Sequence, residues 1–277
     1  MLLHNNIAQE LEHRGVATIP FLLPEELAAV RAFFAQLQSE HELQYTHGMH
    51  MTLWHSDLSF KQKVKEVLTN LLQPAFERNF ANCRRLNNIF IVKRAHTTGE
   101  FAMHSDWSIV DESQYKSINV WIALQDTAPH NGGLWILEGS HRLDMPIRGG
   151  AALLPRFEHI AEELKPYYTP INAQAGDAIL FYHKTIHGSY PNQSDKDRVV
   201  CTFTIIPSEA PLQICFQKDE NSPLEIYEPA DDFNYKYNDL LEDTNTFAPG
   251  KHPMKVHPPY EQKKYSLSAI LDLIQKP

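Results

Sequence analysis

The stretch Ser117-Ile118-Asn119-Val120-Trp121-Ile122-Ala123-Leu124 decides the fold. Ile118, Val120, Ile122 and Leu124 recur at every second position, the period of an extended strand that places one set of side chains on one face. Trp121 falls on the opposite parity. Outward from here the same period recurs from residue 86 onward, over Leu86–Arg94, Leu134–Leu137, Ala178–His183, Arg198–Ile206 and Gln213–Phe216. Turn-forming residues separate these runs: Asn131-Gly132-Gly133, Gly139-Ser140, Gly149-Gly150, Gly176-Asp177 and Pro191-Asn192. A parallel α/β sheet needs a helix between successive strands, and most of these gaps are too short for one. The pattern therefore predicts a mainly β sandwich or jelly roll with flanking helices. Residues 153–168 are read as one inserted helix.

Upstream, Val16–Leu23 reads as a strand, and Pro24-Glu25-Glu26 opens a helix because proline and acids suit the first turn. Leu27, Val30, Phe33, Phe34 and Leu37 follow at helical spacing. A second helix is predicted over Phe60–Phe80, with Val64, Val67, Leu68, Leu71 and Leu72 on its apolar side. Downstream, the last 60 residues are rich in Pro, Tyr, Asn and Asp. Asp231–Asp243 is acidic and aromatic, and Ser266–Ile274 reads as a short amphipathic helix. No linker interrupts the chain. The expectation is one domain over 1–277, with a helical support (1–80), a jelly-roll core (86–217) and a C-terminal cover (218–277).

Composition narrows the function. A hydrophobic content of 43% is that of an ordinary globular protein, and the net charge of −9 argues against a general nucleic-acid binder. Cys83, Cys201 and Cys215 share no close spacing, which excludes a disulfide scaffold and a cysteine zinc finger and suits a reducing compartment. No apolar run approaches the roughly 18 residues that span a bilayer. The N-terminus lacks a basic segment followed by an apolar one, so a cytoplasmic protein with no membrane partner is expected. Nothing in the sequence sets an oligomeric state.

The chemistry lies in His104-Ser105-Asp106, just before the strand-rich region. In extended chain, residues i and i+2 share a face, so His104 and Asp106 present an imidazole and a carboxylate side by side. Gly176-Asp177 leads through a strand to His183 and then His187-Gly188-Ser189, and Arg198 comes eleven residues after His187. Two histidines and one carboxylate can occupy one face of an octahedral Fe(II) and leave three positions open. An arginine suits an acidic co-substrate, because its planar fork holds a carboxylate bidentately and stays charged.

This ordered set resembles the phytanoyl-CoA dioxygenase family of Fe(II)/2-oxoglutarate-dependent oxygenases. The resemblance covers most of residues 10–207. It includes His104-Ser105-Asp106-Trp107, Val120-Trp121-Ile122-Ala123-Leu124, Asn131-Gly132-Gly133-Leu134, Gly139-Ser140-His141 and the stretch from Gly176-Asp177 to Arg198. Arg14-Gly15-Val16 and Phe21-Leu22-Leu23-Pro24-Glu25-Glu26-Leu27 resemble it too. The resemblance implies a double-stranded β-helix with Fe(II) on His104, Asp106 and His187. It also implies 2-oxoglutarate on the iron, with its distal carboxylate on Arg198 and Ser189. O2 then drives decarboxylation to succinate and CO2 and oxidation of a C–H bond in a small-molecule substrate. Related halogenases replace the carboxylate by a small residue. Asp106 is present here, so hydroxylation is expected, with desaturation, epoxidation or cyclisation as alternatives set by substrate placement.

Each residue also has a plainer reading. His55-Ser56-Asp57 repeats the tripeptide but precedes a helix, where Ser56 or Asp57 serves as an N-cap. His183 and His187 have the spacing of a helical zinc site, but the intervening residues lack its glutamate and the context is a strand, so His183 is read as packed or supporting. His141 is read as structural and His130 as a surface residue. Trp121 either borders the co-substrate or fills the core, and Ser189 either contacts the co-substrate or caps a turn. Lys93 is a candidate neighbour of the co-substrate, although Arg84-Arg85 and Lys93-Arg94 read more simply as solvated charges. Trp107, Trp135 and the C-terminal tyrosines are candidate substrate walls for which burial is the simpler role. Two rivals of other classes remain: a non-catalytic jelly-roll binding protein, and a cupin-type enzyme with no use for Arg198. Specificity is expected in the loops at 45–57, 107–116 and 142–170 and in the C-terminal cover.

Overall fold

The computed structural model describes residues 1–99, 101–153, 157–236 and 253–274. Helix α1 (Asn5–Arg14) ends at Gly15, whose left-handed φ of 79° lets its N–H close on the Leu11 carbonyl. Strand β1 (Val16–Pro20) follows. Helix α2 (Pro24–Glu40) starts at the predicted proline, and the Glu26 carboxylate accepts from the Leu23 N–H at 2.9 Å. After β2 (Met49–Met51), the helix predicted over Phe60–Phe80 divides into α3 (Leu58–Leu71) and α4 (Gln73–Asn79). Pro74 accounts for the break, since it has no N–H for the preceding turn and is tolerated only in the first turn of a new helix.

Eight of the next strands and their neighbours build two sheets. They are β3 (Cys83–Lys93), β4 (Phe101–His104), β5 (Ile118–Ala123), β6 (Leu134–Ile136), β7 (Thr169–Ile171), β8 (Asp177–Tyr182), β9 (His187–Ser189) and β10 (Arg198–Pro207). The large sheet runs β1-β8-β5-β10-β3-β2 and the small one β4-β9-β6-β7, with every pairing antiparallel. This is the jelly roll the alternation predicts. A third sheet of β11 (Ile214–Phe216), β12 (Leu224–Tyr227) and β13 (Lys255–His257) belongs to the C-terminal region.

Parity in the strands sorts the core. Phe90, Val92, Ile118, Val120, Ile122, Leu180, Cys201 and Phe203 pack outward against Leu27, Val30, Phe33, Phe34, Val64 and Leu68 of α2 and α3. The opposite parity, with Ile91, Trp121, Ala123, Ile179, Phe181 and Val200, packs inward against Leu134, Ile136 and Ile171 of the small sheet. The large sheet is thus apolar on both faces, as expected of a sheet covered on both sides. Behind the small sheet, Trp135, Leu137, Leu143, Met145, Phe157 and Leu164 form a further cluster.

The single helix expected over residues 153–168 is not formed. Glu158–Ile160 and Lys165–Tyr167 are 3-10 turns on either side of the one-turn α5 (Ala161–Leu164), and 154–156 lie outside the described residues. Pro166 accounts for the end of α5, because a proline there cannot extend it. The acidic aromatic stretch yields α6 (Phe233–Lys236), with its residues from 237 onward outside the described set. The terminal helix forms as α7 (Leu267–Ile274), with Ile270 fully buried. Among the described residues no helix is long and apolar enough to cross a membrane.

Candidate active site

Strands β4 and β9 pair so that His104 stands directly opposite His187. Asp106 follows just past the end of β4, and its N–H is held by the His183 carbonyl at 2.8 Å. The donor atoms of these three side chains all lie within 4.8 Å of one another, and no other such group of His, Cys, Asp or Glu occurs among the described residues. His104 Nε2 is 3.7 Å from one Asp106 carboxylate oxygen, and His187 Nε2 is 3.8 Å from the other. Each imidazole is anchored through its second nitrogen: Nδ1 of His104 donates to the Ala102 carbonyl at 2.8 Å, and Nδ1 of His187 to the Thr185 carbonyl at 3.0 Å. A ring that donates through Nδ1 keeps its Nε2 lone pair free, which is the arrangement found at metal-ligating histidines.

Electrostatics favours the same protonation states. Burial, reinforced by the neighbouring His104, pushes His187 down to about 4, so it is neutral at physiological pH. Burial pushes the Asp106 carboxyl up, but His187, His183, His104 and Arg148 together hold it below its usual range, so it is ionised. Two imidazoles and one carboxylate are a donor set that fits a divalent iron.

Further residues hold this cluster in place. Asn119 donates from its amide nitrogen to Asp106 Oδ2, and its amide oxygen faces Thr204 Oγ1 at 2.9 Å and His183 Nε2 at 3.1 Å. Arg148, fully buried, donates from Nε to the Asp106 carbonyl at 2.7 Å and pairs with Glu112 at 2.6 Å. Gly188, between His187 and Ser189, has no room for a side chain, since a Cβ there would meet the Trp135 ring at 2.3 Å.

Arg198 opens β10 on the inward parity, and its guanidinium lies 5.3 Å from the Trp121 ring centroid. It is 1% exposed, and its Nε and Nη1 have no hydrogen-bond partner among the described residues. Burial alone pulls it down to about 9, a measure of how poorly its charge is compensated. Lys93, directly across the β3–β10 ladder, is also fully buried. Its ammonium donates to Ser189 Oγ at 2.7 Å and to the Tyr190 carbonyl at 2.6 Å. The solvated reading of Lys93 is therefore wrong. The strand's inward parity carries it into the barrel, where Ser189 receives it.

The other expectations resolve plainly. Asp57 accepts from the Ser59 N–H at 2.7 Å as the N-cap of α3, so the first His-Ser-Asp is a helix start. His183 is buried in the Asn119–Thr204 contacts, His141 donates from Nε2 to the Glu12 carbonyl, and His130 is exposed. Trp135 is buried in a parallel stack with Tyr168, and Trp107 packs near Ile109 and Val110. Sequence reasoning missed Asn119 and Arg148. Asn119 carried a signal, being a polar residue that shares Trp121's parity in the deciding strand. Arg148 sits in a loop with no period to mark it.

Comparison with known proteins gives a consistent result. The family model described as phytanoyl-CoA dioxygenase matches residues 12–200. The Danio rerio phytanoyl-CoA dioxygenase domain-containing protein 1 is 31% identical over 132 residues, 45% of each chain. An Arabidopsis thaliana phytanoyl-CoA dioxygenase is 29% identical over 127 residues, covering 45% of this chain and 44% of its own. The matched stretch thus spans less than half the length of these curated relatives. Among solved structures, HygX from Streptomyces hygroscopicus with nickel, 2-oxoglutarate and hygromycin B superimposes with a TM-score of 0.55 at 14% identity, covering 92% of this chain and 98% of its own. The carbocyclase SnoK from nogalamycin biosynthesis gives 0.54 at 17%, covering 76% and 86%. At these identities the likeness shows a shared jelly-roll fold.

Proposed function

The chain belongs to the phytanoyl-CoA dioxygenase family, and from that premise we propose that it is an Fe(II)- and 2-oxoglutarate-dependent oxygenase that hydroxylates an unactivated C–H bond of a small molecule. Succinate and CO2 are its co-products. His104, Asp106 and His187 hold the iron, and Arg198 with Ser189 holds the distal carboxylate of 2-oxoglutarate. When bound, iron and 2-oxoglutarate together supply the O2-dependent oxidising power.

The observation that carries this reading is Arg198, a buried guanidinium with two unpartnered nitrogens in the same barrel as the His-Asp-His cluster. A buried charge left unpaired is strongly unfavourable, and a planar fork is satisfied best by a carboxylate. His187 and Ser189 share one face of β9, so they lie about 7 Å apart along the strand. That separation suits a short dicarboxylate reaching from metal to anchor. Lys93 holds the Ser189 hydroxyl and adds positive charge to the carboxylate end. Trp121 forms the surface under Arg198 and keeps water from it. Asn119 occupies Oδ2 of Asp106 and leaves Oδ1, the oxygen that faces His104, as the one that would hold the metal.

The reading takes 1–277 as one domain, supported by the pairing of β1 with β8 and by α7 packing behind the small sheet. It places the protein in the cytoplasm, where free Cys83, Cys201 and Cys215 are stable as thiols. The test is an anaerobic titration of 2-oxoglutarate into Fe(II)-loaded protein, read by the metal-to-ligand charge-transfer band. A band in wild type that weakens in Arg198→Ala and vanishes in Asp106→Ala supports the reading. No band in folded, iron-loaded protein overturns it. Once a substrate is found, product mass separates hydroxylation, a gain of one oxygen, from desaturation or cyclisation, a loss of two hydrogens.

A further inference from the structure

Arg148 and Glu112 form a buried ion pair, and neither side chain belongs to the His-Asp-His cluster. The Arg148 side chain is 0% exposed and that of Glu112 8%. Both Glu112 oxygens accept from the guanidinium, Oε2 from Nη1 at 2.7 Å and Oε1 from Nη2 at 2.6 Å, the geometry of a planar fork on a carboxylate. The rest of the guanidinium serves the main chain. Its Nε donates to the Asp106 carbonyl at 2.7 Å, and Nη1 donates also to the Met145 carbonyl.

The loops that carry these residues are joined through their main chains as well. The Ser108 N–H donates to the Arg148 carbonyl at 3.1 Å, and the Arg148 N–H donates to the Ser108 hydroxyl at 3.1 Å. Ser108 is 1% exposed, so these bonds lie out of water. Asp106 is thereby fixed on both sides of its Cα. Its N–H is held by the His183 carbonyl at 2.8 Å and its carbonyl by Arg148. Fixing the two flanking peptide planes fixes the direction of the Cα–Cβ bond, and with it the reach of the carboxylate. A buried ion pair contributes little net stability, because lost hydration offsets the attraction. What this pair supplies is direction at one carbonyl, and that carbonyl belongs to a residue of the cluster.

We propose that Glu112 and Arg148 are positioning residues for the metal site: Glu112 orients the guanidinium, and the guanidinium holds the Asp106 main chain so that its carboxylate is set before metal binds. The proposal rests on the reading of His104, Asp106 and His187 as metal ligands. It assigns the pair a task that a pair serving stability alone does not have. Such a pair can be exchanged for apolar residues of similar volume without loss. A positioning pair cannot, because no apolar side chain donates to the Asp106 carbonyl.

The test is titration of Co(II), whose visible bands report coordination geometry, into the full metal-free chain. The double variant Arg148→Met/Glu112→Leu removes both charges together. It is expected to unfold at close to the wild-type midpoint, to bind Co(II) at least about tenfold more weakly and to show shifted bands. Arg148→Lys, which still donates to one carbonyl, should lie between it and wild type. Wild-type affinity and bands in the folded double variant overturn the proposal. Glu112→Gln keeps the test decisive should the double variant fail to fold: a smaller loss with shifted bands is expected, and wild-type affinity and bands overturn the proposal. A folded wild type that binds no Co(II) overturns the reading of the cluster itself and the proposal with it, a result distinct from wild-type binding in the variants.

Discussion

His55-Ser56-Asp57 and His104-Ser105-Asp106 are the same three residues in the same order, and the fold puts them to different uses. The first precedes α3, and Asp57 caps that helix while His55 packs against Phe60 with ring centroids 4.1 Å apart. The second ends β4, and the strand pairing sets a second histidine opposite its first residue. What differs is the partner set. The first copy caps its own helix and sets His55 against Phe60 and His41. The second has His187 across the ladder, Asn119 on the carboxylate and Arg148 on the backbone. What the tripeptide can do is thus a property of the sheet it terminates, and the most direct way to break the comparison is to remove the same atom from both copies.

Asp106→Ala should abolish turnover and lower iron affinity by at least about 100-fold, since it deletes a ligand and not merely its support. Asp57→Ala should leave iron affinity at the wild-type value. Metal titration of both variants decides it, and loss of iron in Asp57→Ala alone would reverse the assignment. Next in size is Arg198→Gln, expected to weaken 2-oxoglutarate binding about 100-fold while iron affinity stays within a few-fold. Arg198→Lys should recover only part of that, because an ammonium lacks the planar fork. Asn119→Ala should reduce iron affinity about tenfold, the range for a residue that orients a ligand. If Asn119→Ala leaves iron binding unchanged, Asp106 is held by its backbone contacts alone.

Acid should act on the second copy as well. In the metal-free protein His187 is pushed down to about 4, against an ordinary value of 6.5. Between those values the unfolded chain binds a proton that the folded one does not, so this contribution to stability is full above about 6.5 and is lost as pH falls toward 4. The cost over the window is of order 3 kcal/mol. His50 and His141, also lowered by burial, add to the same slope. Thermal unfolding of metal-free protein should therefore shift down steeply between pH 6.5 and 4, less so in His187→Asn. Metal should reduce the loss, because the ligand competes with the proton.

How much of this was legible follows from strand length. Runs of six or more residues, such as Ile118–Ala123 and Arg198–Pro207, carry enough period to be read, and their parity already separates Trp121 from the outward core. Strands β4 and β9 have four and three residues. Too few positions exist there to show an alternation, so the pairing that joins His104 to His187 was reached through the motif and not through the strands. Lys93 shows the opposite error. A lysine beside an arginine reads as solvated charge, yet strand parity alone places it inside, and the acceptors of Ser189 and Tyr190 make that burial tolerable. Arg148 depends on a loop conformation that no local pattern encodes.

The smallest effect sharpens the comparison most. Asp57 makes its cap through a single side-chain oxygen, which accepts from both the N–H and the hydroxyl of Ser59. Losing such a cap typically lowers an unfolding midpoint by about 2–4 °C in a chain of this size. Asp57→Asn, which keeps the acceptor, should retain most of that stability. In Asp106→Asn the same exchange keeps a carboxamide oxygen but loses the charge, and iron affinity should fall nearly as far as in Asp106→Ala. One substitution, tolerated at a helix start and damaging at a strand end, isolates the carboxylate charge as the feature the second copy needs. Equal tolerance at both positions would mean that the sheet, and not the carboxylate, makes the site.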